Sequence, residues 1–224
     1  MNPLVIACSI LKDEVSLVVE EHGLQDKLDF IWMPDSLHNS PEHLRESVQE
    51  KIDAADSARP VILLCYGQCG NAFLGLAARE APVVIARAAD CVGMLLAEDP
   101  EIDELRKHSI FQTRGTLDGE QSLEPAYEHL VQRKGEDYAR RVTDAMYKNY
   151  DTLVMVDTGA YDLPAQAERV KRVCSLYHLS PTVRPGTLSL LERLLTRDTD
   201  DGDFITIPPH GTATLADFFP ELVS

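Results

Sequence analysis

Five short apolar runs constrain the fold of this chain more than any other feature of its sequence. Each run is rich in β-branched residues and ends near a Cys, Pro, Asp or Arg, which is typical of a buried strand that leads into a loop. The runs occupy residues 4–7, 30–33, 61–64, 83–85 and 153–156. Strands this uniformly apolar are expected in a sheet that is covered on both faces.

Amphipathic helical patterns alternate with these runs. Ser40 as N-cap and Pro41 at the first helical position predict a helix between the second and third runs. Further helical faces are predicted over residues 138–149 and 167–174. The alternation predicts an α/β fold with a mostly parallel sheet flanked by helices and with functional residues at the carboxyl ends of the strands. Since no repeat, low-complexity tract or Gly/Ser linker divides the chain, we expect a single α/β domain over residues 1–224.

Composition narrows the class of protein. The 224 residues include 21 Lys and Arg against 37 Asp and Glu, and the net charge of −16 disfavours a nucleic-acid partner. No apolar run approaches the roughly 18 to 20 residues that span a bilayer, and the N-terminal segment lacks the cationic start of a signal peptide. We therefore expect a cytoplasmic protein with no membrane partner, and the sequence is compatible with a homo-oligomer.

Five cysteines carry most of the functional information. An odd number of cysteines without a secretory signal favours free thiols or metal ligands over a disulfide framework. The alternative is that they are unrelated small residues of the core. Four of them lie at or shortly after predicted strand ends, where their thiols would share one crevice: Cys8, Cys65, Cys69 and Cys91.

The segment after the third apolar run predicts how such a crevice is built. Tyr66, Gly67 and Gly70 are candidate cofactor-binding residues, because glycines permit a tight turn and a close backbone approach. A helix is predicted to begin near Asn71. The N-terminus of that helix would lower the pKa of a neighbouring thiol and favour its thiolate form.

Thiolate-rich ligation favours zinc or an iron–sulfur cluster over magnesium or calcium. We predict Cys8, Cys69 and Cys91 as ligands, with Cys65 or His38 as the fourth. Since Cys8 and Cys91 are isolated along the sequence, the pattern favours an active-site metal over a structural one. Metal-free thiol catalysis, with Cys69 as nucleophile and His38 as base, is the alternative.

Four other positions are candidate functional groups. His38 follows the second run and either faces the crevice or is a solvated loop histidine. Arg87 and Asp90 are candidate catalytic residues: the guanidinium either binds an anionic substrate or pairs with Asp90 to hold the loop. Asp157 ends the fifth run, where it would contact a metal or cofactor, orient a histidine or cap the loop.

Common signatures of dinucleotide, nucleotide and serine-hydrolase sites are absent from the sequence. Residues 198–203 resemble a calcium-binding loop, but the glycine stands one position early and no glutamate occupies the twelfth position. We therefore expect a solvated acidic turn there.

Several motifs in a fixed order resemble one known family. They are Ala7-Cys8-Ser9, Leu37-His38, Tyr66-Gly67-Gln68-Cys69-Gly70, Arg87-Ala88-Ala89-Asp90-Cys91, and Asn149-Tyr150 followed by Asp157-Thr158-Gly159. Together they resemble the bacterial and archaeal family catalogued as domain of unknown function 1638, over residues 4 to about 207. The chain departs from that family where Thr113-Arg114-Gly115-Thr116 replaces an aromatic Gly-Trp segment.

The resemblance implies that Cys8, Cys69 and Cys91 act together. Members of the family accompany corrinoid-dependent methyltransferase systems, which implies a role in one-carbon metabolism. The expected function is a zinc or iron–sulfur protein that acts on a small, anionic molecule as a transferase or lyase. The alternative is a non-catalytic accessory or carrier protein that binds a methyltransferase partner, a corrinoid or a metal, and its charge of −16 would favour a basic partner surface.

Overall fold

Two β-sheets organise the chain, each within its own unit. The computed structural model describes residues 1–120, 122–199 and 202–219. The first unit comprises Met1–Leu95 with Leu188–Ser224, and the second comprises Leu96–Thr187. The expectation of a single α/β domain over residues 1–224 stays a prediction. Asp200 and Asp201, which belong to the predicted acidic turn, lie outside the described residues.

The strands follow the apolar runs closely. All five predicted strands are present, and three more occur in the described part of the chain. In chain order the strands are β1 (Leu4–Cys8), β2 (Asp29–Met33), β3 (Ile62–Cys65), β4 (Val83–Ala86), β5 (Ser109–Gln112), β6 (Thr152–Asp157), β7 (Ser180–Pro185) and β8 (Phe204–Ile207).

Helices lie between most of these strands, and short 3-10 helices occupy Ser9–Leu11, Asp35–Asn39 and Pro164–Gln166. The predicted helix after Ser40 is confirmed, because the Ser40 hydroxyl accepts the His43 N–H at 3.3 Å. The α-helices are α1 (Lys12–Glu21), α2 (Pro41–Asp53), α3 (Cys91–Leu95), α4 (Ile102–Leu105), α5 (Arg114–Asp118), α6 (Leu123–Lys134), α7 (Glu136–Tyr147), α8 (Ala167–Tyr177), α9 (Ser189–Thr196) and α10 (Leu215–Phe218).

The first unit contains a five-stranded sheet with the order β2-β1-β3-β4-β8. Strands β1 to β4 are parallel, and β8 is antiparallel to β4 at the edge. The predicted α/β fold with a mostly parallel sheet is confirmed. From β1 the chain adds β2 on one side and β3 on the other, so the strand order reverses between β1 and β3. In open parallel sheets a reversal of this kind leaves a binding crevice beyond the carboxyl ends of the strands.

The second unit contains a three-stranded parallel sheet with the order β5-β6-β7. Its buried core includes Leu153 and Met155 of the central strand β6 and Val170, Val173 and Tyr177 of α8. Burial of these side chains fixes α8 against the sheet of this unit. No helix in the described part of the chain is long and apolar enough to cross a membrane.

Candidate functional site

Three cysteines of the first unit meet at the carboxyl ends of its parallel strands. Cys8 is the last residue of β1, Cys69 lies in the loop after β3, and Cys91 is the first residue of α3. The Sγ atoms of Cys69 and Cys91 are 3.9 Å apart, and the Cys91 thiol also hydrogen-bonds to Cys8. Cys8 and Cys91 are buried, whereas Cys69 is half-buried. The structure thus brings together these three cysteines, and we call them the thiol cluster.

Backbone hydrogen bonds between two loops hold Cys69 next to Cys91. The N–H of Gln68 donates to the carbonyl of Ala88 at 2.8 Å, and the N–H of Cys69 donates to the carbonyl of Ala89 at 3.0 Å. These bonds join the loop after β3 to the loop between β4 and α3. The spacing of the two sulfurs is therefore set by main-chain pairing and not by side-chain packing alone.

Gly67 and Gly70, the glycines predicted to bind a cofactor, make close contacts within the protein itself. A Cβ atom at Gly67 would lie 2.1 Å from the backbone carbonyl carbon of Asp90. A Cβ atom at Gly70 would lie 3.0 Å from Cγ of Pro41. The missing side chain at Gly67 thus allows the two loops to touch, and that contact positions the thiol cluster.

The backbone after β3 passes through three successive left-handed residues. The φ angles are 41° at Cys69, 72° at Gly70 and 63° at Asn71. Because an α-helix requires negative φ angles, the prediction of a helix beginning near Asn71 is wrong, and residues 71–75 form turns instead. Left-handed geometry is costly for cysteine, so the surrounding hydrogen bonds must hold this loop in place.

Cys8 is the member of the cluster that favours the thiolate form. A hydrogen bond from Cys91 lowers its pKa most, and hydrogen bonds from the Ile10 backbone and the Tyr66 side chain lower it further. Burial and the negative charge of Asp35 act in the opposite direction without reversing the shift. Cys8 also precedes the 3-10 helix Ser9–Leu11, which continues into α1. The cysteines at a helix start are therefore Cys8 and Cys91, and not Cys69 as predicted.

Cys91 favours the protonated thiol form. Its thiol interacts with both Cys69 and Cys8, and these hydrogen bonds raise its pKa well above 9.0, with burial adding to the effect. The pKa of Cys8 falls while that of Cys91 rises, so the two neighbouring buried thiols differ in how readily they lose a proton.

Cys65 lies apart from the thiol cluster. It is paired in register with Ala7 across β1 and β3, and side chains alternate between the faces of a sheet, so Cys65 points to the face opposite Cys8. Burial alone raises its pKa to about 12. Cys65 is a core residue in this structure, and the sheet geometry separates it from the ligand set that the sequence predicted.

Replacing Cys65 with alanine should reduce the alkaline loss of stability of the metal-free protein. The pKa of this thiol is 9.0 ordinarily and about 12 when folded, so its favourable contribution is complete below pH 9.0 and is lost as the pH rises through about 12. Over that range the wild type should lose about 1.4 kcal/mol of unfolding free energy per pH unit more than Cys65→Ala. Urea unfolding at several pH values measures both slopes, and equal slopes would contradict the expectation.

Tyr66 places a buried hydroxyl beside the cluster. Its ring packs edge-on against Phe73, with centroids 5.7 Å apart, and the residue is 1% exposed. The hydroxyl interacts with the Cys8 thiol, and the charges of Cys69 and Cys91 also act on it. Burial and the charges of the neighbouring thiols raise the pKa of Tyr66, so the phenol stays protonated.

Arg87 and Asp90 hold the loops around the cluster. Arg87 donates from Nε to the Gly202 carbonyl at 2.8 Å and from Nη1 to the carbonyls of Asp217 and Phe218. The Asp90 carboxylate accepts the Gly93 N–H at 2.6 Å, which caps the start of α3. These contacts give both residues structural roles, while their catalytic roles stay predictions.

His38 and Asp35 occupy the same 3-10 helix after β2, with opposite exposure. His38 is exposed, whereas Asp35 is buried and lies near enough to Cys8 for its charge to affect that thiol. The sequence analysis chose His38 and not Asp35 as a candidate site residue. Asp35 could have been found from its position just beyond the carboxyl end of β2, which pairs with β1.

Asp157 ends the central strand β6 of the second unit and is exposed. Its carboxylate accepts the N–H of Gly159 at 3.2 Å, within a turn where Gly159 has a φ of 72°. Asp157 thus caps the loop after β6, which is one of the three roles that the sequence analysis considered for it. A role for Asp157 toward a metal or cofactor stays a prediction.

No three His, Cys, Asp or Glu side chains among the described residues form a group that could hold a metal ion as it stands. The fold and the site define an α/β protein with a buried thiol cluster at the strand-order reversal of a parallel sheet. The chain belongs to the family described as Protein of unknown function (DUF1638), which matches residues 32–195. The matched segment includes Cys69 and Cys91 and begins after Cys8. No curated protein and no solved structure matches the chain.

Proposed function

We propose that the protein binds one zinc ion through Cys8, Cys69 and Cys91 and uses it in a reaction on a small molecule. The observation that carries this proposal is the 3.9 Å separation between the Sγ atoms of Cys69 and Cys91. Two thiolates on a tetrahedral zinc ion, with Zn–S bonds of about 2.3 Å, lie about 3.8 Å apart. These two sulfurs therefore already have the spacing of ligands to one ion.

Cys8 supplies the third ligand in this proposal. Its pKa is lowered mainly by a hydrogen bond from Cys91, which favours the thiolate, the form of cysteine that binds a metal ion. The nearby charge of Asp35 also favours a cation. Since no three-ligand group is preformed in the described part of the chain, zinc binding should draw the sulfurs together by side-chain rotation.

Three thiolates favour zinc with an open fourth position over an iron–sulfur cluster, which ordinarily takes four cysteine ligands. Cys65 faces away from Cys8 across the sheet, and His38 is exposed on its 3-10 helix. A zinc site with three protein ligands keeps a position for water or substrate and lowers the pKa of what binds there. That chemistry suits a transferase or lyase.

The proposed class of substrate follows from the enclosure of the site. The substrate would be small, because only Cys69 of the three ligands is more than marginally exposed. A role in corrinoid-linked one-carbon metabolism rests on the association that the family resemblance implies.

The same burial favours a second candidate function, that of a non-catalytic metal carrier or accessory protein. Cys8 is 2% exposed and Cys91 is 3% exposed, which limits access of a substrate to the sulfurs. A methyltransferase or corrinoid-protein partner with a basic surface would be attracted to a chain of net charge −16. Turnover separates the two functions: a carrier releases zinc to a partner and changes no substrate by itself.

Protein purified without oxygen should contain about one zinc per chain, and binding should release protons, because thiols become thiolates when they bind the metal. Elemental analysis gives the stoichiometry, and pH-indicator titration of the metal-free protein gives the proton release. A broad visible spectrum with stoichiometric iron would instead indicate an iron–sulfur cluster. Protein that stays metal-free after reconstitution with zinc and with iron would contradict the proposed function.

A further inference from the structure

Two thiols of the cluster lie close enough to form a disulfide with little movement. The Sγ atoms of Cys69 and Cys91 are 3.9 Å apart, and both cysteines are free thiols in this structure. A disulfide bond is about 2.05 Å long, so the two sulfurs need to approach each other by about 2 Å. Rotation of the cysteine side chains about their Cα–Cβ bonds supplies a movement of that size.

Main-chain contacts hold the two loops together independently of the oxidation state of the sulfurs. The N–H of Cys69 donates to the Ala89 carbonyl at 3.0 Å, and the missing side chain at Gly67 lets its loop touch the backbone of Asp90. Since neither contact involves a thiol, the same loop pairing serves the reduced and the oxidised protein. Two reacting groups held this close react faster, because their encounter is intramolecular.

The two thiols differ in exposure, and this difference assigns their roles. Cys69 is half-buried, whereas Cys91 is 3% exposed and Cys8 is 2% exposed. An external reagent therefore reaches Cys69 first, and Cys91 is the thiol behind it. A solvent-accessible cysteine next to a second, resolving cysteine is the arrangement found in redox-active sites.

The other cysteines are less well placed to react. Cys65 projects to the face of the sheet opposite Cys8, and Cys174 lies in α8 of the second unit. Cys8 hydrogen-bonds to Cys91, but it is buried as Cys91 is. The pair that combines an exposed thiol with an adjacent second thiol is therefore Cys69 and Cys91.

We propose that Cys69 and Cys91 form a dithiol–disulfide pair that reduces a low-molecular-weight disulfide. The Cys69 thiolate attacks one sulfur of the small disulfide, which leaves a mixed disulfide on Cys69 and releases the other half as a thiolate that takes up a proton. The Cys91 thiolate then attacks the Cys69 sulfur and releases the second half in the same way. The protein loses two electrons and two protons, and the small disulfide becomes two thiols.

Size and charge define the class of disulfide. The half-buried Cys69 admits a small molecule more readily than the surface of a protein partner, and the net charge of −16 disfavours an anionic reagent. The substrate is therefore a small disulfide that is uncharged or cationic. This inference does not depend on the proposed zinc site, since the reaction uses only the two thiols.

The test uses the full-length protein, reduced and treated with a chelator, and bis(hydroxyethyl) disulfide as an uncharged probe. After the reaction, free thiols are alkylated and the unreduced protein is digested for peptide mapping by mass spectrometry. The wild type should give a Cys69–Cys91 linked peptide pair with no probe attached. Cys91→Ser should stop at the mixed disulfide on Cys69. Cys69→Ser should consume the probe about tenfold more slowly than the wild type, because the thiols that remain are buried.

The matched controls are Cys8→Ser and Cys174→Ser, because each removes a buried thiol outside the pair. Both should still form the Cys69–Cys91 link. A wild type that forms no such link, or that forms mainly a Cys8–Cys91 link, would overturn the inference. A Cys69→Ser protein that reacts as fast as the wild type would overturn it as well. The zinc content of the protein before chelation tests the proposed function separately, because none of these results requires metal binding.

Discussion

Cys91→Ser is expected to abolish tight zinc binding. Cys91 is the sulfur that contacts both other members of the thiol cluster, at 3.9 Å from Cys69 and through a hydrogen bond to Cys8. A serine hydroxyl keeps the size of the side chain but does not ionise near neutral pH and is a poor zinc ligand. The zinc affinity should fall by more than about 100-fold, beyond the effect of losing an outer-sphere partner. Competition with a chromophoric chelator measures it.

Two matched variants make this result specific to the cluster. Cys174→Ser changes a buried cysteine of α8 in the second unit, and Cys65→Ala changes a buried cysteine that points to the other face of the first sheet. The zinc affinity of both variants should stay within about threefold of that of the wild type, because neither substitution removes a ligand. A comparable loss of affinity in either control would show that cysteine replacement acts through stability and not through ligation.

Much of the fold could be predicted because its central strands are uniformly apolar. Strands β1, β3 and β4 are buried along their whole lengths, and such runs stand out in a sequence. Two of the strands that the sequence does not predict lack this pattern, whereas β8 is interrupted only by the exposed Thr206. β7 (Ser180–Pro185) is largely exposed and contains two prolines, and β5 (Ser109–Gln112) has polar residues at both ends.

The candidate site could be predicted only in part, because a sequence shows where strands end but not their register. The positions of Cys8 and Cys65 at strand ends suggest one crevice for both. The register Ala7 with Cys65 puts them on opposite faces, and a shift of one residue would have reversed that result. Which cysteines act together is therefore a property of strand pairing.

The turn after β3 shows a second limit of sequence reasoning. The pattern around Cys69-Gly70-Asn71 predicts the approach to a helix, whereas all three residues are left-handed. Asparagine and glycine tolerate this conformation, so their presence is also a signal for a turn. The left-handed conformation of Cys69 is held by backbone hydrogen bonds to the loop at residues 87–91. No local sequence pattern predicts these bonds.

Gly67→Ala should destabilise the protein strongly, although it adds only one methyl group. The new Cβ would lie 2.1 Å from the carbonyl carbon, 2.3 Å from the carbonyl oxygen and 2.4 Å from the Cα atom of Asp90, and backbone atoms cannot rotate away. The two loops must separate, which strains the bonds from Gln68 to Ala88 and from Cys69 to Ala89. We expect a loss of about 3 to 5 kcal/mol in the free energy of unfolding.

Urea unfolding of the metal-free protein measures that loss, with Gly202→Ala as the control. A Cβ atom at Gly202 meets open space, so this substitution should change the unfolding free energy by no more than about 0.5 kcal/mol. Separation of the loops also moves Cys69 away from Cys91, so Gly67→Ala should lose zinc affinity although every ligand is present. A stable Gly67→Ala protein that binds zinc as tightly as the wild type would show that loop contact does not position the cluster.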